Sequence, residues 1–239
     1  MHGMGTVINV IAVILGGIVG LLFGKRLKPR FQETLISAIG VCVVFIGIAG
    51  AMEEMLLVNG GKLESSKTMV LIGSMAAGAV IGELLNLEGA LERLGEWLKK
   101  KTGSESDAGF VDGFVTASLT ICIGAMAIVG SIQDSLMGDY SILVAKAILD
   151  LIIIMIMTAS KGKGCIFAAI PVAVLQGSIT LLAAFIEPVF TERALSYISM
   201  VGSVLIFCVG LNLLRDKKIK TANLLPALVI AVVWALLEA

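Results

Sequence analysis

The stretch Ser141-Ile142-Leu143-Val144-Ala145-Lys146-Ala147-Ile148-Leu149-Asp150-Leu151-Ile152-Ile153-Ile154-Met155-Ile156-Met157-Thr158-Ala159-Ser160 decides the fold. As a helix rising about 1.5 Å per residue it covers about 30 Å, the depth of a bilayer's hydrocarbon core. Lys146 and Asp150 interrupt it four residues apart, on one helix face. Entered from the Ser141 end, Asp150 would lie about 15 Å deep, near the midplane. Either charge alone costs roughly 2.5–3.5 kcal/mol at a helix centre. Lys146 can snorkel outward, but the shorter Asp150 cannot. Lys before Asp is also the weaker order for an i,i+4 pair, so local helix stability explains their presence poorly. Two readings stand: an ion pair joining helices, or a site for a solute, an ion or a proton.

The rest of the chain is equally apolar. Of its 239 residues 58% are hydrophobic and 15% charged, with a mean hydropathy of +1.02. A soluble domain carries about 25% charged residues. The excess cannot be hidden in one soluble core. Equal numbers of basic and acidic residues leave no net charge to steer the chain toward nucleic acid. The composition therefore predicts an all-α, polytopic transmembrane helical bundle with the lipid bilayer as partner.

Eight segments are long and apolar enough to predict spans, near 5–24, 35–52, 68–82, 113–133, 141–160, 165–186, 194–214 and 223–237. The runs are continuous, unlike the alternating strands of a membrane barrel. The first lacks a basic stretch before it and an evident cleavage site, so it reads as a span and not as a signal peptide. Basic residues fix the expected orientation. Lys25, Arg26, Lys28 and Arg30 follow span one; Arg93, Lys99, Lys100 and Lys101 follow span three. Lys161 and Lys163 follow span five, and Arg215, Lys217, Lys218 and Lys220 follow span seven, whereas the alternate loops hold Lys62, Lys67 and Arg193. This bias predicts both termini outside the cytoplasm.

The chain divides into spans one to three over 1–83, a cytoplasmic interfacial helix over 84–101, a linker over 102–112 and spans four to eight over 113–239. In the interfacial helix Leu84, Leu87, Leu91, Leu94 and Leu98 recur at three- and four-residue spacing beside Trp97. Glu88, Glu92, Arg93, Glu96 and Lys99 fill the other face, the pattern of a helix lying in the headgroup plane or docking a partner. Asn59-Gly60-Gly61 and Met137-Gly138-Asp139 read as tight turns. Ile36, Ser37, Gly40 and Phe45 recur as Ile198, Ser199, Gly202 and Phe207 at a constant offset of 162. The offset crosses five spans, so the matching hairpins would face opposite ways, the inverted repeat of many secondary transporters. Gly16, Gly20 and Gly24 line one face of span one, and Gly78 and Gly82 one face of span three. Such faces predict close helix packing, with homo-oligomer formation through the first as the alternative.

Polar groups concentrate in the second half. Gly124 and Gly130, followed by Ser131, Gln133 and Asp134, suggest that span four opens before it reaches the outer surface. Pro171 followed by Gln176, Gly177 and Ser178 suggests a second interruption in span six. Unwound backbone at this depth lines protein or a watery cavity. The candidate substrate- or ion-binding residues are therefore Asp150, Lys146, Gln133, Ser131, Gln176 and Ser178. Asp150 would hold a cation or proton, Lys146 would balance or compete with it, and the others would supply hydrogen bonds. Asn212 and the 223–226 stretch read as caps and turns. Cys42, Cys122, Cys165 and Cys208 show no metal-type spacing and read as packing residues, and the sole histidine, His2, is terminal. No metal or cofactor is implied.

Gly124-Ala125-Met126, Gly138-Asp139, Ser141-Ile142-Leu143, Ala145-Lys146, Leu149-Asp150 and the segment from Pro171 to Gln176 follow one another in an order that resembles one family. So do Gly16-Gly17 with Gly20, and Asn223-Leu224-Leu225-Pro226-Ala227. The chain is similar over nearly its full length to the bacterial integral-membrane family called domain of unknown function 554, the YqgA/YdfK type. The resemblance implies a multi-pass protein of the bacterial inner membrane, and it brings no activity or functional residues. The expectation from the residues is a transporter or channel-like protein moving a small solute or ion through a midplane site. A non-transporting assembly or regulatory component is the alternative. An intramembrane enzyme is the third reading, but no HExxH, G-x-S-x-G or P-loop pattern supports it, and Met137-Gly138-Asp139 lacks the glycine that would precede a GxGD-like motif.

Overall fold

In a computed structural model the described residues of the chain form ten α-helices and one short hairpin. All residues are described except 1–2, 25–27, 124, 187–190, 216–218 and 239. His2, Lys25, Arg26, Gly124, Lys217 and Lys218 therefore lie outside the described residues. The helices are α1 (Met4–Gly24), α2 (Pro29–Met55), α3 (Thr68–Leu85), α4 (Leu87–Lys101) and α5 (Phe110–Cys122). They continue with α6 (Ala125–Leu136), α7 (Ser141–Lys161), α8 (Ala169–Ile186), α9 (Glu192–Leu214) and α10 (Pro226–Leu237). Short 3-10 stretches, Lys163–Ala168 and Thr221–Leu224, lead into α8 and α10.

Among the described residues six segments are single helices long and apolar enough to cross a membrane. The predicted fourth span is a pair, α5 and α6, bent by 61°. The predicted eighth is the apolar helical stretch Thr221–Leu237, in which the 3-10 turn runs into α10. That stretch is shorter than the roughly 20 residues typical of a helical crossing. The chain is thus a polytopic helical membrane protein, and among the described residues six unbroken helices and one broken pair have the length and apolarity of a span.

Glycine contacts set the main pairings. α1 packs along α7, and α2 along α9, as the two most extensive helix pairs. A Cβ on Gly16, Gly20 or Gly24 would run into the carbonyl oxygens of Leu151, Met155 and Ala159 in turn. The predicted small-residue face of span one is therefore consumed within the chain and offers nothing to a second copy. On α2, Gly47 and Gly50 meet Phe207 and Ser203 of α9, while Gly210 of α9 meets Val44. Gly78 and Gly82 of α3 abut Ala227 and Asn223. Small residues give such contacts their van der Waals gain where lipid supplies no hydrophobic drive.

The two ends of the bundle differ. One gathers α4, the Lys161–Asp112 ion pair (2.6 Å) and the Lys220–Glu83 ion pair (2.6 Å). There Asn223 Oδ1 accepts from the Glu88 backbone N–H at 2.7 Å and so caps the start of α4. Asn212 closes the turn after α9, with the Ile219 N–H donating to its Oδ1 at 2.7 Å. These are the capping roles expected for both asparagines. The α4 face carrying Leu98 is buried against α5, whereas Trp97 is exposed.

The opposite end carries the hairpin β1 (Leu56–Asn59) and β2 (Lys62–Ser65), the only strands among the described residues. Gly60 and Gly61 make its two-residue turn with φ of +57° and +79°, a conformation that favours glycine. Lys67 pairs with Glu54 at 3.2 Å at the same end. Glu238 accepts there from Trp234 Nε1 at 2.8 Å and from the Tyr197 hydroxyl at 2.5 Å.

Candidate functional site

Lys146 and Asp150 are 7% and 3% exposed, deep inside the bundle. Lys146 Nζ donates to both Asp150 oxygens, at 2.9 and 2.7 Å, and to the backbone carbonyl of Ile121 at 2.7 Å. That carbonyl belongs to the last turn of α5, where the helix stops at Cys122 and carbonyls lose their intrahelical partners. The ammonium therefore sits at the negative end of a half-helix dipole as well as beside a carboxylate. Asn9 of α1 completes the cluster, its side-chain nitrogen donating to Asp150 Oδ2 at 3.0 Å. Two helices and the end of a third thus share one pair of opposite charges.

Lys146 and Asp150 line a cavity of about 240 Å³ between α2, α5, α6, α7 and α9. Its walls are mostly apolar, with Ile123 and Met126 flanking the break, and its polar groups are Lys146, Asp150, Thr120, Ser199 and Ser203. A smaller cavity of about 140 Å³ lies on the α4 side and is lined by Glu88, Glu92, Asp112, Thr116 and Asn212. The two share walls: Thr116 and Thr120 are one turn apart on α5, and Val209 and Ile206 one turn apart on α9. An apolar cavity with few polar groups beside a broken helix has the chemistry to hold a small solute or ion.

The other predicted site residues are placed differently. Ser131 is fully buried on α6, but its hydroxyl donates to the Ala127 carbonyl of its own helix at 2.7 Å. Gln133 is half-buried on α6 and does not line the large cavity. Ser178 is exposed and donates to the Leu175 carbonyl at 2.8 Å. Gln176 is 1% exposed, and its Oε1 has no hydrogen-bond partner among the described residues.

The expected interruptions also move. Span four breaks between Cys122 and Ala125, after which α6 runs unbroken past Gly130 to Leu136. Asp134 does not open that helix. It accepts from the Gly3 and Gly5 N–H groups at 3.2 and 2.8 Å and so ties down the start of α1. Span six is not interrupted at Gln176-Gly177-Ser178, because α8 is continuous from Ala169 to Ile186. Pro171 falls in its first turn, where a missing N–H costs little.

Asn9, Thr120, Ser199 and Ser203 escaped the sequence reading. Asn9 carried a usable signal, an amide within a run of Val, Ile and Ala, since polar groups at membrane depth seek partners. The pairing of Lys146 with the Ile121 carbonyl had no sequence signal.

No solved structure matches the chain significantly. It is 33% identical over 226 residues to the "Uncharacterized membrane protein YdfK" of Bacillus subtilis (strain 168), covering 95% of this chain and 93% of that one. It is 31% identical over 235 residues to the "Uncharacterized protein YqgA" of Escherichia coli (strain K12), covering 95% of this chain and 94% of that one. The family described as "Protein of unknown function (DUF554)" matches residues 4–236, and the chain belongs to that family.

Proposed function

We propose that this membrane protein is a transporter or channel-like protein that moves a small solute or ion through the cavity beside Lys146 and Asp150. The observation that carries the reading is the buried Lys146–Asp150 pair seated on the end of a broken helix and facing open volume. A pair serving only to join helices would need no cavity. The second cavity, stacked along α5 and α9 toward α4, supports a route from one end of the bundle. The described basic residues of the predicted cytoplasmic loops gather at that end, which supports a bacterial inner-membrane setting with α4 in the cytoplasm. The inverted-repeat reading gains support from the offset of 162, which carries α1 onto α8 and α2 onto α9, pairs that also pack on each other. The proposed activity is translocation and not chemical conversion.

The test is a thermal-unfolding screen of the purified protein against ions, amino acids and small organic acids, followed by flux into proteoliposomes. A native-state ligand raises stability by an amount set by its concentration over its dissociation constant. A saturable shift lost in Asp150→Asn, with matching flux lost in the same variant, is the expected result. Flux that survives Asp150→Asn unchanged overturns the site.

The alternative, a non-transporting assembly or regulatory component, is favoured by α4. That helix buries Leu98 yet leaves Trp97 55% and Leu94 37% exposed. One stoichiometric partner that co-purifies with the wild type and is lost when Leu94 and Trp97 are made polar would support this reading over transport.

A further inference from the structure

α1 and α8 meet through a ladder of side chains. Thr6 and Thr180 hydroxyls lie 3.2 Å apart at one level. Further along, Val13 and Val172 share one buried cluster, and Gly17 abuts Ile166. The residue numbers rise on α1 as they fall on α8, so the helices are antiparallel. Between the threonine and valine rungs stand Asn9 and Gln176, each one helical turn from the threonines. Asn9 is 0% and Gln176 1% exposed.

Both amides carry an oxygen without a donor, Asn9 Oδ1 and Gln176 Oε1. A buried acceptor left unsatisfied is costly, and two on facing helices at one level call for a shared donor or cation. The Asn9 nitrogen already donates to Asp150, which puts the carboxylate beside this same rung. This rung of the α1–α8 seam thus offers two unsatisfied amide oxygens, with the Asp150 carboxylate bonded to one of the two amides. One carboxylate and two amide oxygens suit a small monovalent cation and fall short of what a divalent ion demands.

Resting on the transport reading, we propose that Asp150, Asn9 Oδ1 and Gln176 Oε1 bind a dehydrated cation of sodium size, for which the Lys146 ammonium is the built-in competitor. Lys146 has two acceptors, the Asp150 carboxylate and the Ile121 carbonyl. It can release the carboxylate to an arriving ion and remain held by the helix end. The ion and the lysine thus exchange on one carboxylate, and the one net positive charge of the ion-bound state is offset in part by the Ile121 carbonyl and the negative end of the α5 dipole. The cavity near α4, with Glu88 and Glu92 in its walls and Asp112 paired there with Lys161, would enrich cations at one end of the route.

The experiment is thermal unfolding of the purified full-length protein in sodium chloride against choline chloride at constant ionic strength. The wild type should show a saturable rise with sodium, and Asn9→Ala and Gln176→Ala should each weaken the apparent affinity about tenfold or more. Thr180→Ala, one turn away, should leave it unchanged. Lys146→Gln removes the competitor and should tighten sodium binding, an effect a purely structural lysine would not produce. Absence of any sodium-specific shift in the wild type overturns the proposal, as does an undiminished shift in Gln176→Ala. Flux assays in the same preparation separate the two claims. Solute flux without sodium binding sinks the cation site and leaves transport standing, whereas sodium binding without any flux does the reverse.

Discussion

The α5–α6 segment and α8 start from similar sequence, an apolar run holding a glycine followed by polar residues, and they end differently. The first breaks with a 61° bend, while the second stays helical through Gln176-Gly177-Ser178. Glycine lowers the cost of leaving the helix in both. What separates them is the fate of the backbone groups set free. At the end of α5 the Ile121 carbonyl finds the Lys146 ammonium, brought by another helix. The α8 glycine has open space around it, and unwinding there would strand backbone donors and acceptors in an apolar medium. A break inside a membrane is therefore decided by the neighbouring helix, not by the glycine.

The largest expected effect comes from removing that neighbour. Lys146→Met should destabilise the protein by about 3–5 kcal/mol, because it leaves the Asp150 charge buried and uncompensated. The double variant Lys146→Met with Asp150→Leu should recover most of this, short of about 1–3 kcal/mol for the unsatisfied Ile121 carbonyl. Denaturant titration in mild detergent gives both values, and equal losses in single and double variants would break the comparison at its root.

The next effects contrast two glycines. Gly20→Ala drives a methyl into the Met155 carbonyl of α7 and should cost about 1–3 kcal/mol. Gly177→Ala has room on a continuous helix and should stabilise by about 0.5–1 kcal/mol. A loss at Gly177 instead of a gain would mean that α8 is bent in the membrane, and the two segments would no longer differ.

The smallest effect tests whether an exposed end behaves as the interior does. Hydrogen bonds from Tyr197 and Trp234 hold the Glu238 carboxyl below the ordinary glutamate range. Its folded value is depressed, so its contribution is present above the unfolded value and is lost as pH falls through the folded one. Trp234 fluorescence should therefore change below the usual glutamate range, and the change should vanish in Glu238→Gln. Solvent screens this contact, so the bundle as a whole should stay folded through the transition.

Span positions were legible because hydropathy reports them directly, as the match of 141–160 with α7 illustrates. The turn at Gly60-Gly61 and the caps at Asn212 and Asn223 were legible for local reasons, since their partners are close in sequence or set by helix ends. Lys146 and Asp150 stood out by their cost alone. Asn9 did not, because its value depends on α7, which lies 141 residues away at Asp150. The α8 interruption was misread because Pro171 acts by its position within a helix, and that position depends on where the 3-10 stretch Lys163–Ala168 ends. Long-range pairing hid the role of Asn9, and a local helix boundary hid that of Pro171.

The α1–α7 seam has a consequence in time. A ribosome adding about 5–20 residues per second needs on the order of ten seconds to go from the end of α1 to the start of α7. Throughout that interval Gly16, Gly20 and Gly24 face lipid or the insertion machinery, and Asn9 has no carboxylate to meet. The first helix made is thus among the last to be satisfied. Changes that slow synthesis between the two should lengthen the exposure of an unfinished α1 to membrane quality control without altering one contact of the finished protein.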